Sequence, residues 1–499
     1  MRFYPKRIVV FALALGTFFL SLYTLHFRLQ KTRSVGNDPG KDLLVHNEVD
    51  GGLGKLPPVP DVNQVSQRKQ PVLAKPNIPN DSQQVGLGNG DQKLGEGVVG
   101  VAIKMPLRKS TTCPDLTQPA DFPETQTFQP YRNGAMYVFA AYLDDRHNIV
   151  RITAIARSLQ TGFCQMWYRD GDVMKTSAVK SQRLPEGHGR KYDGFYVTCP
   201  LPGGRIPYAV SVVSSPCEKP TNVLKVLNTK KVDYSKMTGF GVCSPPFNFK
   251  YKRVDQMIEN LETNRMLGAT KFTFYNYSLG DEVYKVLKPY IQQGIVELVQ
   301  WPIPVLVQTW PPTVTQEIHY FGQIANLNDC LYRNHQKVKY VAFTDLDEYA
   351  VPRRQKNWTA LINDLEKRGV HAASYMFRNV FFKCEWDDDE DLAKIPLIKK
   401  LNMEVILKTK RQPRIFSPNQ RSKNIVEVRR AVTVGVHNIW NFEHGFGSHI
   451  LSESDGLLHH YRNWETKGDR NYVVDKYMHK FRTELLGRVE KVKKDLGLL

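Results

Sequence analysis

Short apolar runs separated by turn residues fill the chain from Met136 to Val232. Runs such as AMYVFAAYL, IVRITAIARS and GFYVTCPL have the length and the β-branched content of strands, and turn residues recur between them at spacings typical of sandwiches. We therefore predict a small β-sandwich domain over residues 131–235.

The pattern changes at Phe240, where strand-like runs begin to alternate with helical spacing. The apolar positions predict three helices, from Arg253 to Leu267, from about Gly280 to Gln293 and from about Glu317 to Asn334. Each is followed by an apolar strand, and this alternation is typical of a mostly parallel sheet with right-handed crossovers. We predict an α/β domain over residues 236–480 and a C-terminal helix or tail over 481–499.

An apolar run of about 18 residues begins at Ile8, and basic residues flank it on both sides. The run is just long enough to span a bilayer, and it lacks the small residues that end a cleavable signal peptide. We predict a cytoplasmic tail over 1–7 and an uncleaved signal-anchor helix over 8–27. Residues 28–130 are rich in Gly, Pro, Asn and Gln, which is typical of a flexible, disordered stem.

Three Asn-x-Ser/Thr sequons, at Asn80, Asn276 and Asn357, lie beyond the predicted anchor, together with seven cysteines. Both features suit a body that faces the lumen of the secretory pathway. A short span also favours the thinner membranes of the early pathway. We therefore expect a single-pass type II protein of the Golgi membrane with a lumenal catalytic domain.

The odd number of cysteines leaves one thiol unpaired or bonded to another chain. Cys113, near the end of the predicted stem, is a candidate for a disulfide-linked homodimer. Intramolecular pairing of Cys113 is equally open, and the candidate partners are Cys164, Cys199, Cys217 and Cys243.

The formal net charge of +20 suits nucleic acid, anionic lipid or anionic substrates. No zinc-finger spacing and no aromatic RNA-binding signature accompanies it, so we expect no nucleic-acid partner. Recognition of phosphate is the functional class that remains.

Two aspartates one residue apart, Asp345 and Asp347, end the apolar run KYVAFTDLDEY. Alternate side chains of a strand share a face, so both carboxylates can bind one divalent cation, Mn²⁺ or Mg²⁺, while Glu348 points to the other face. Such a cation keeps positions open for the phosphates of a substrate.

Ligands of open α/β sheets bind at the carboxyl ends of the strands. Ser244 follows the first strand of the α/β series, and Tyr275 and Asn276 end the second. We expect these three residues to line one crevice with the two aspartates.

Several motifs occur in a fixed order between Phe240 and Arg462: HYFGQIANLNDCLYRN, KYVAFTDLDEY, SKNIVEV, VGVHNI and LHHYRN. A weaker echo lies at AAYLDDR, from Ala140 to Arg146. As an ordered set these motifs resemble glycosyltransferase family 92, whose members transfer galactose from UDP-galactose with inversion. The resemblance implies an A-type (GT-A-like) nucleotide-sugar transferase fold and a metal-binding signature at Asp345-Leu346-Asp347. It further implies a β1,4 linkage to a terminal galactose or fucose of glycoprotein glycans.

The same resemblance assigns roles to single residues. Asp347 would bind the metal, Asp345 would share the metal or the ribose of the donor, and His460 would be the third ligand, with His459 in reserve. Lys423 would clamp the diphosphate, and His437 would contact the donor phosphate or support the metal.

Two amides, Gln323 and Asn328, precede the metal strand on a predicted helix, with Asp329 beside them. Amides and a carboxylate suit recognition of uracil or ribose, and helix packing explains them equally well. Inversion also requires a general base, for which we select Glu443 first and Asp387, in the acidic run EWDDDED, second.

Two other functional classes fit the same residues. One is a membrane-anchored glycan-binding protein with a degenerate transferase domain, and the other is a lumenal nucleotidyl- or phosphotransferase.

Overall fold

A computed structural model describes Cys113, Leu116, Pro119, Phe122 and residues 126–169, 175–463 and 471–499. These residues belong to one compact unit, Ala102–Leu499. The other unit, Met1–Val101, lies outside the described residues.

The predicted tail and anchor, 1–27, and most of the predicted stem, 28–130, therefore lie outside the described part of the chain. Within the described ranges, no helix combines the length and the apolar character needed to cross a bilayer. The described residues therefore do not support the predicted single-pass type II topology in the Golgi membrane, and that prediction is not kept.

Nine strands of the N-terminal part form one continuous hydrogen-bonded sheet. They are β1 Gln129–Tyr131, β2 Met136–Asp144, β3 Ile149–Ala156, β4 Phe163–Trp167, β5 Lys175–Ala178, β6 Lys180–Arg183, β7 Asp193–Pro200, β8 Ala209–Val213 and β9 Leu224–Leu227. The strand order is β5-β4-β8-β9-β2-β3-β7-β6, with β1 paired to β2.

This N-terminal sheet folds over on itself. Apolar residues of β3 and β7 share a buried cluster with residues of β4 and β8, which lie at the other end of the strand order. The disulfide Cys164–Cys199 joins β4 to β7 across the same cluster. Where the sequence predicts a sandwich, the structure thus has one sheet whose two halves pack face to face.

The second part of the chain alternates strands with helices. Its helices are α1 Val254–Leu267, α2 Asp281–Gln292, α3 Gln323–Arg333, α4 Trp358–Lys367, α5 Glu390–Ala393, α6 Pro396–Leu401, α7 Glu404–Leu407 and α8 Arg482–Asp495. Its strands are β10 Phe240–Cys243, β11 Ala269–Asn276, β12 Val296–Gln300, β13 Tyr340–Phe343, β14 Glu348–Pro352, β15 Ser374–Phe382, β16 Lys410–Arg411, β17 Lys423–Glu427, β18 Ala431–Val434, β19 Ile439–Phe442, β20 Ser448–Ile450, β21 Gly456–Tyr461 and β22 Val473–Val474.

Four strands, in the order β12-β11-β10-β13, are parallel, as the β/α alternation predicts. The sheet then becomes mixed, because β17 pairs antiparallel to both β13 and β15. The prediction of a mostly parallel sheet is therefore confirmed only for its first half. The predicted helix from Glu317 begins six residues later, since Tyr320, Phe321 and Gly322 have positive φ angles that no α-helix accommodates.

Helix α3 lies between the two parts of the structure, and the buried carboxylate of Asp329 bonds to both. Tyr142 of β2 and Thr153 of β3 donate to its Oδ1 at 2.7 and 2.9 Å. Tyr275 of β11 and Arg333 of α3 donate to its Oδ2 at 2.6 and 2.9 Å. A buried charge requires such partners, so this network ties the N-terminal sheet to the α/β sheet.

An apolar cluster surrounds this network and includes residues from both sides of position 235, among them Phe139, Tyr196, Leu327 and Val341. The predicted boundary between 131–235 and 236–480 is thus not a break in packing. The domain boundary at position 235 stays a prediction from the sequence, because one apolar core includes residues from both sides of it.

The structure pairs six of the seven cysteines within the chain: Cys113–Cys217, Cys164–Cys199 and Cys243–Cys330. Cys384 is free. The proposal that Cys113 bridges two copies of the chain is therefore wrong, because Cys217 lies within bonding reach of it.

We expect Asp329→Asn to lower the free energy of unfolding by about 3 kcal/mol or more, because the buried Arg333 would lose its nearer counter-charge and keep only the half-exposed Glu297 at 3.5 Å. Asp364→Asn is the matched control: Asp364 and Arg368 form another Asp–Arg pair four residues apart, but both side chains are more than one-third exposed. The control should cost about 0.5 kcal/mol or less. Urea denaturation followed by circular dichroism measures both, and equal losses would contradict the role of Asp329.

Candidate active site

The two aspartates lie in a tight turn between β13 and β14 and not on one strand. β13 ends at Phe343, and β14 begins at Glu348. The Glu348 amide donates to the Asp345 carbonyl at 3.2 Å, and the Asp345 amide donates to Glu348 Oε2 at 2.9 Å. The alternation rule therefore does not apply here, and the turn brings Glu348 to the side of Asp345. The expectation that Glu348 faces away is wrong.

Lys423 connects these carboxylates. It is the first residue of β17, and because β17 is antiparallel to β13, Lys423 falls at the edge of the sheet where β13 ends. Its Nζ lies 3.1 Å from Asp345 Oδ1 and 3.3 Å from Glu348 Oε2, and the residue is only 3% exposed. Burial alone would lower the pKa of Lys423, but the two carboxylates raise it above its usual value. Lys423 is thus a fixed positive charge.

Glu348 is as deeply buried as Lys423. Burial is the main cause that raises its pKa to about 7, and the charge of Asp345 raises it further, against the lowering effect of Lys423 and His460. Sequence reasoning missed Glu348 because it assumed that the strand continues through the aspartates.

His460 closes the other side of the turn. β21 pairs with β14 so that His460 stands opposite Glu348. Its Nδ1 lies 3.2 Å from Glu348 Oε1 and 3.1 Å from Asn379 Nδ2, and its Nε2 lies 3.5 Å from Asp347 Oδ2. Burial lowers the pKa of His460, but Asp347 and Glu348 raise it above its usual value.

His459 faces away from this cluster. Its ring packs on Phe382, with the ring centroids 4.6 Å apart, and its Nδ1 lies 3.4 Å from the hydroxyl of Tyr461. Burial lowers its pKa to about 3. Of the two histidines, the structure brings only His460 to the aspartates.

His437 lies against the start of β17. Its Nδ1 is 3.3 Å from the carbonyl oxygen of Ser422. Burial and the nearby charge of Lys423 lower the pKa of His437 to about 4, so the ring is neutral at physiological pH.

Several buried polar atoms around the turn have no hydrogen-bond partner. They are Ser244 Oγ at the end of β10, Thr344 Oγ1 at the end of β13, Ser422 Oγ before β17, Asn379 Oδ1 and His460 Nε2. Unpaired buried polar atoms are rare and costly, and a group of them at one edge of a sheet indicates that a polar ligand binds there. Of this set, the sequence indicated Ser244 and His460 but not Thr344, Asn379 or Ser422. Thr344 and Ser422 adjoin the motif residues Asp345 and Lys423, which was the one signal available.

The three predicted metal ligands are not already assembled around an ion site. In the described part of the chain, no group of three or more His, Cys, Asp or Glu side chains has the arrangement of a metal site. Asp347 and the unpaired Nε2 of His460 lie side by side, whereas Asp345 pairs with Lys423. The first two residues fit a shared divalent cation that takes its other ligands from a substrate, and Asp345 fits the Lys423 side of the site.

Four of the predicted donor-binding residues have other surroundings. Tyr275 is buried, and its hydroxyl donates to Asp329. Asn328 is also buried: its side-chain nitrogen donates to the carbonyl oxygens of Ile324 and Val434, and its side-chain oxygen accepts from the Val434 amide and the Tyr196 hydroxyl. Both are structural, so their assignment to the donor is wrong. Asn276 donates to the Gln300 side chain at 3.1 Å, and Gln323 is the buried first residue of α3.

The first predicted base, Glu443, also lies away from the turn. Its carboxylate pairs with Arg146 at 3.1 Å and with His147 at 2.8 Å. Glu443 and His437 sit at opposite ends of the β18–β19 hairpin, since the Glu443 amide bonds to the Arg430 carbonyl. The structure therefore contradicts Glu443 as a general base and makes it part of the contact with the N-terminal sheet. Asp387 lies on the loop after β15, 92% exposed and 3.3 Å from Lys410.

Comparison with known proteins decides the family of the chain. The sequence model of glycosyltransferase family 92 matches residues 238–496, just over half of the chain. The chain belongs to glycosyltransferase family 92. This match contains all the residues around the turn, so the site described above is the candidate active site of a glycosyltransferase.

A curated relative of this family 92 member is the beta-1,4-galactosyltransferase galt-1 of Caenorhabditis elegans, which is 27% identical over 235 residues. The alignment covers 43% of this chain and 51% of the relative. The chain thus spans about half the length of the curated relative that it matches.

Two solved structures share a partial similarity with this family 92 member. One is S. aureus TarS in complex with UDP-GlcNAc, 13% identical, covering 47% of this chain and 62% of that chain with a TM-score of 0.25. The other is glucosyl-3-phosphoglycerate synthase of Mycobacterium tuberculosis with Mn²⁺, UDP and glucosyl-3-phosphoglycerate, 12% identical, covering 39% and 58% with a TM-score of 0.19. TM-scores this low support no assignment of ligands.

Proposed function

We propose that this glycosyltransferase moves galactose from UDP-galactose to a terminal galactose or fucose of glycoprotein glycans, with inversion and a β1,4 linkage. The observation that carries the proposal is the cluster of Lys423, Asp345, Glu348, Asp347 and His460 at the sheet edge within the segment that matches family 92. The name of the Caenorhabditis elegans relative supports galactose as the transferred sugar and the β1,4 linkage. We also propose that the domain has the A-type fold of nucleotide-sugar transferases.

The proposed reaction also uses a bound divalent cation, Mn²⁺ or Mg²⁺. Asp347 and His460 would hold the ion, and the buried Nε2 of His460, which has no hydrogen bond, supports this. When bound, such an ion neutralises charge on the diphosphate leaving group. Nδ1 of His460 faces Glu348, and this contact fixes the ring so that Nε2 points toward Asp347.

Lys423 would hold the diphosphate from the other side. Its charge is permanent at physiological pH and its position is fixed by Asp345 and Glu348, so no reorganisation is needed when negative charge develops. In the neutral ring of His437, Nδ1–H donates to the Ser422 carbonyl oxygen, so Nε2 carries the lone pair and would accept a hydrogen bond from a hydroxyl of the donor.

Asp387 is the base that we propose for the acceptor. The acceptor hydroxyl oxygen attacks the anomeric carbon, the bond from that carbon to the diphosphate oxygen breaks with its electron pair, and the hydroxyl proton passes to the carboxylate. β15 runs in the same direction as β13, because each is antiparallel to β17 between them. The loop with Asp387 therefore leaves the sheet at the same edge as the aspartate turn, and its exposure suits a bulky glycan.

The full chain, incubated with UDP-galactose and Mn²⁺, should transfer galactose to galactose- or fucose-terminated oligosaccharides. Asp347→Ala should lower kcat/KM by about a thousandfold or more, because a ligand of the charge-neutralising ion is lost. Asp495→Ala, at an exposed carboxylate near the C-terminus, should change it less than twofold. Absence of transfer to every such acceptor, or full activity of Asp347→Ala, would refute the proposal.

The neighbouring histidines allow a second test that does not depend on turnover. His460→Asn should weaken Mn²⁺-dependent binding of UDP, measured by titration calorimetry, by about tenfold to a hundredfold. His459→Asn should leave that affinity within twofold, yet lower the free energy of unfolding by about 1–3 kcal/mol, because His459 is a packed core residue. The reverse pattern would mean that His459 faces the ion.

A further inference from the structure

The turn between β18 and β19 lies beside the proposed donor site. Gly435 donates its amide hydrogen to the Asn438 carbonyl at 2.9 Å, which closes the turn. His437, within the turn, contacts Ser422 through its ring and accepts a hydrogen bond from Asn424 Nδ2 at its carbonyl, at 3.4 Å. The turn is thus attached to the two residues that flank Lys423.

Trp440, two residues beyond the turn, presents a large aromatic ring to solvent. Trp440 is 45% exposed, although tryptophan is highly buried on average. Its indole Nε1–H donates to Glu186 Oε1 at 2.7 Å. The polar edge of the ring is therefore satisfied and fixed, while apolar ring surface remains in water.

Glu186 holds the ring and the turn together. It comes from the loop between β6 and β7 of the N-terminal sheet, and its Oε2 accepts the amide hydrogen of Val436 at 3.2 Å. A Cβ on Gly435 would lie 2.2 Å from Glu186 Oε1 and 2.4 Å from Trp440 Nε1, so only glycine fits between them. A loop of the N-terminal sheet thus sets the orientation of an exposed ring on the hairpin that carries His437.

We propose that Trp440 is the platform on which the acceptor sugar stacks, and that Glu186 is the positioning residue that fixes this platform. One face of a pyranose ring carries several C–H groups, which pack against an indole ring while the hydroxyls remain hydrogen-bonded at the edge. The inference rests on the proposed function, because it assigns the acceptor side of the same site. The donor diphosphate is assigned to Lys423 and the aspartate turn, whereas Trp440, on the same hairpin as His437, is exposed to solvent.

The charge of Glu186 would also make the platform selective for uncharged acceptor sugars. Its two hydrogen-bond donors, Val436 N and Trp440 Nε1, are both neutral, so a carboxylate charge remains at the edge of the platform. A negative charge there favours a neutral hexose and disfavours a sugar that carries a carboxylate or a sulfate.

The experiment compares acceptor and donor kinetics of full-length variants with a galactose-terminated oligosaccharide. Trp440→Ala should raise the KM for the acceptor about tenfold, with the KM for UDP-galactose and the calorimetric affinity for UDP unchanged within twofold. Trp440→Phe, which keeps a ring, should recover part of the loss. Tyr284→Ala, at an equally exposed aromatic residue of α2, is the control and should change neither KM.

Glu186→Gln and Glu186→Ala test the positioning role. Glu186→Ala should raise the acceptor KM nearly as much as Trp440→Ala. Glu186→Gln keeps one oxygen acceptor and should have a smaller effect, while it reduces the discrimination against a sialylated form of the same oligosaccharide. A purely structural role of Glu186 would instead raise both KM values together.

The outcomes separate the two proposals. If the wild-type chain transfers galactose but Trp440→Ala keeps its acceptor KM, the platform is refuted and the proposed function stands. If the wild-type chain transfers no galactose to any such acceptor, the proposed function fails first, and the platform fails with it.

Discussion

The buried carboxylate of Asp329 is the interaction on which the fold depends. A charge in the interior is tolerated only when donors surround it, and here the donors come from β2, β3, β11 and α3. The carboxylate therefore sets where the N-terminal sheet meets the α/β sheet. The disulfide Cys243–Cys330 acts at the same place, since it links β10 to the residue after Asp329. With α3 held on both sides, the ends of β10 and β13 are fixed in space.

The same requirement for pairing shapes the candidate active site. Lys423 and Glu348 are both buried: Asp345 and Glu348 stabilise the charge of Lys423, and Lys423 and His460 favour the charged form of Glu348. A cluster held this way already points its charges at the sheet edge before any substrate arrives. Loops of the N-terminal sheet support the site indirectly by holding the β18–β19 hairpin. Arg146 pairs with Glu443 at one end of the hairpin, and Glu186 accepts hydrogen bonds at the other end. The hairpin that carries His437 is thus held from outside the family-matched segment.

Patterns that depend on local periodicity were readable from the sequence. The β/α alternation predicted α1 and α2 within a residue or so at each end, and the ordered motifs led to family 92, which the family match confirms. The resemblance also led to Lys423, His437 and His460, which the structure does bring to the aspartate turn. Here the sequence was informative because each motif is short and lies on a single strand or turn.

Features that depend on distant contacts were not readable. Tyr275 and Asn328 looked like crevice residues because they are polar and follow or precede strands, but their partners lie far away in the chain and in the core. Glu443 was selected for its place between two histidine motifs, and nothing local indicates that Arg146 neutralises it. Glu348 was misjudged because one tight turn replaces the expected strand and reverses the direction of the side chain. The pairing of Cys113 with Cys217 also joins residues 104 positions apart in the chain.

The central claim is that the turn from Asp345 to Glu348 holds the diphosphate of a sugar nucleotide together with a divalent ion. The most direct measurement is a crystal structure of the protein with UDP and Mn²⁺, recorded at the manganese absorption edge. The account predicts an anomalous peak within bonding distance of Asp347 and His460 Nε2, with the diphosphate oxygens between that ion and Lys423. A manganese ion or a diphosphate bound elsewhere on the protein, with the turn left empty, would contradict the account.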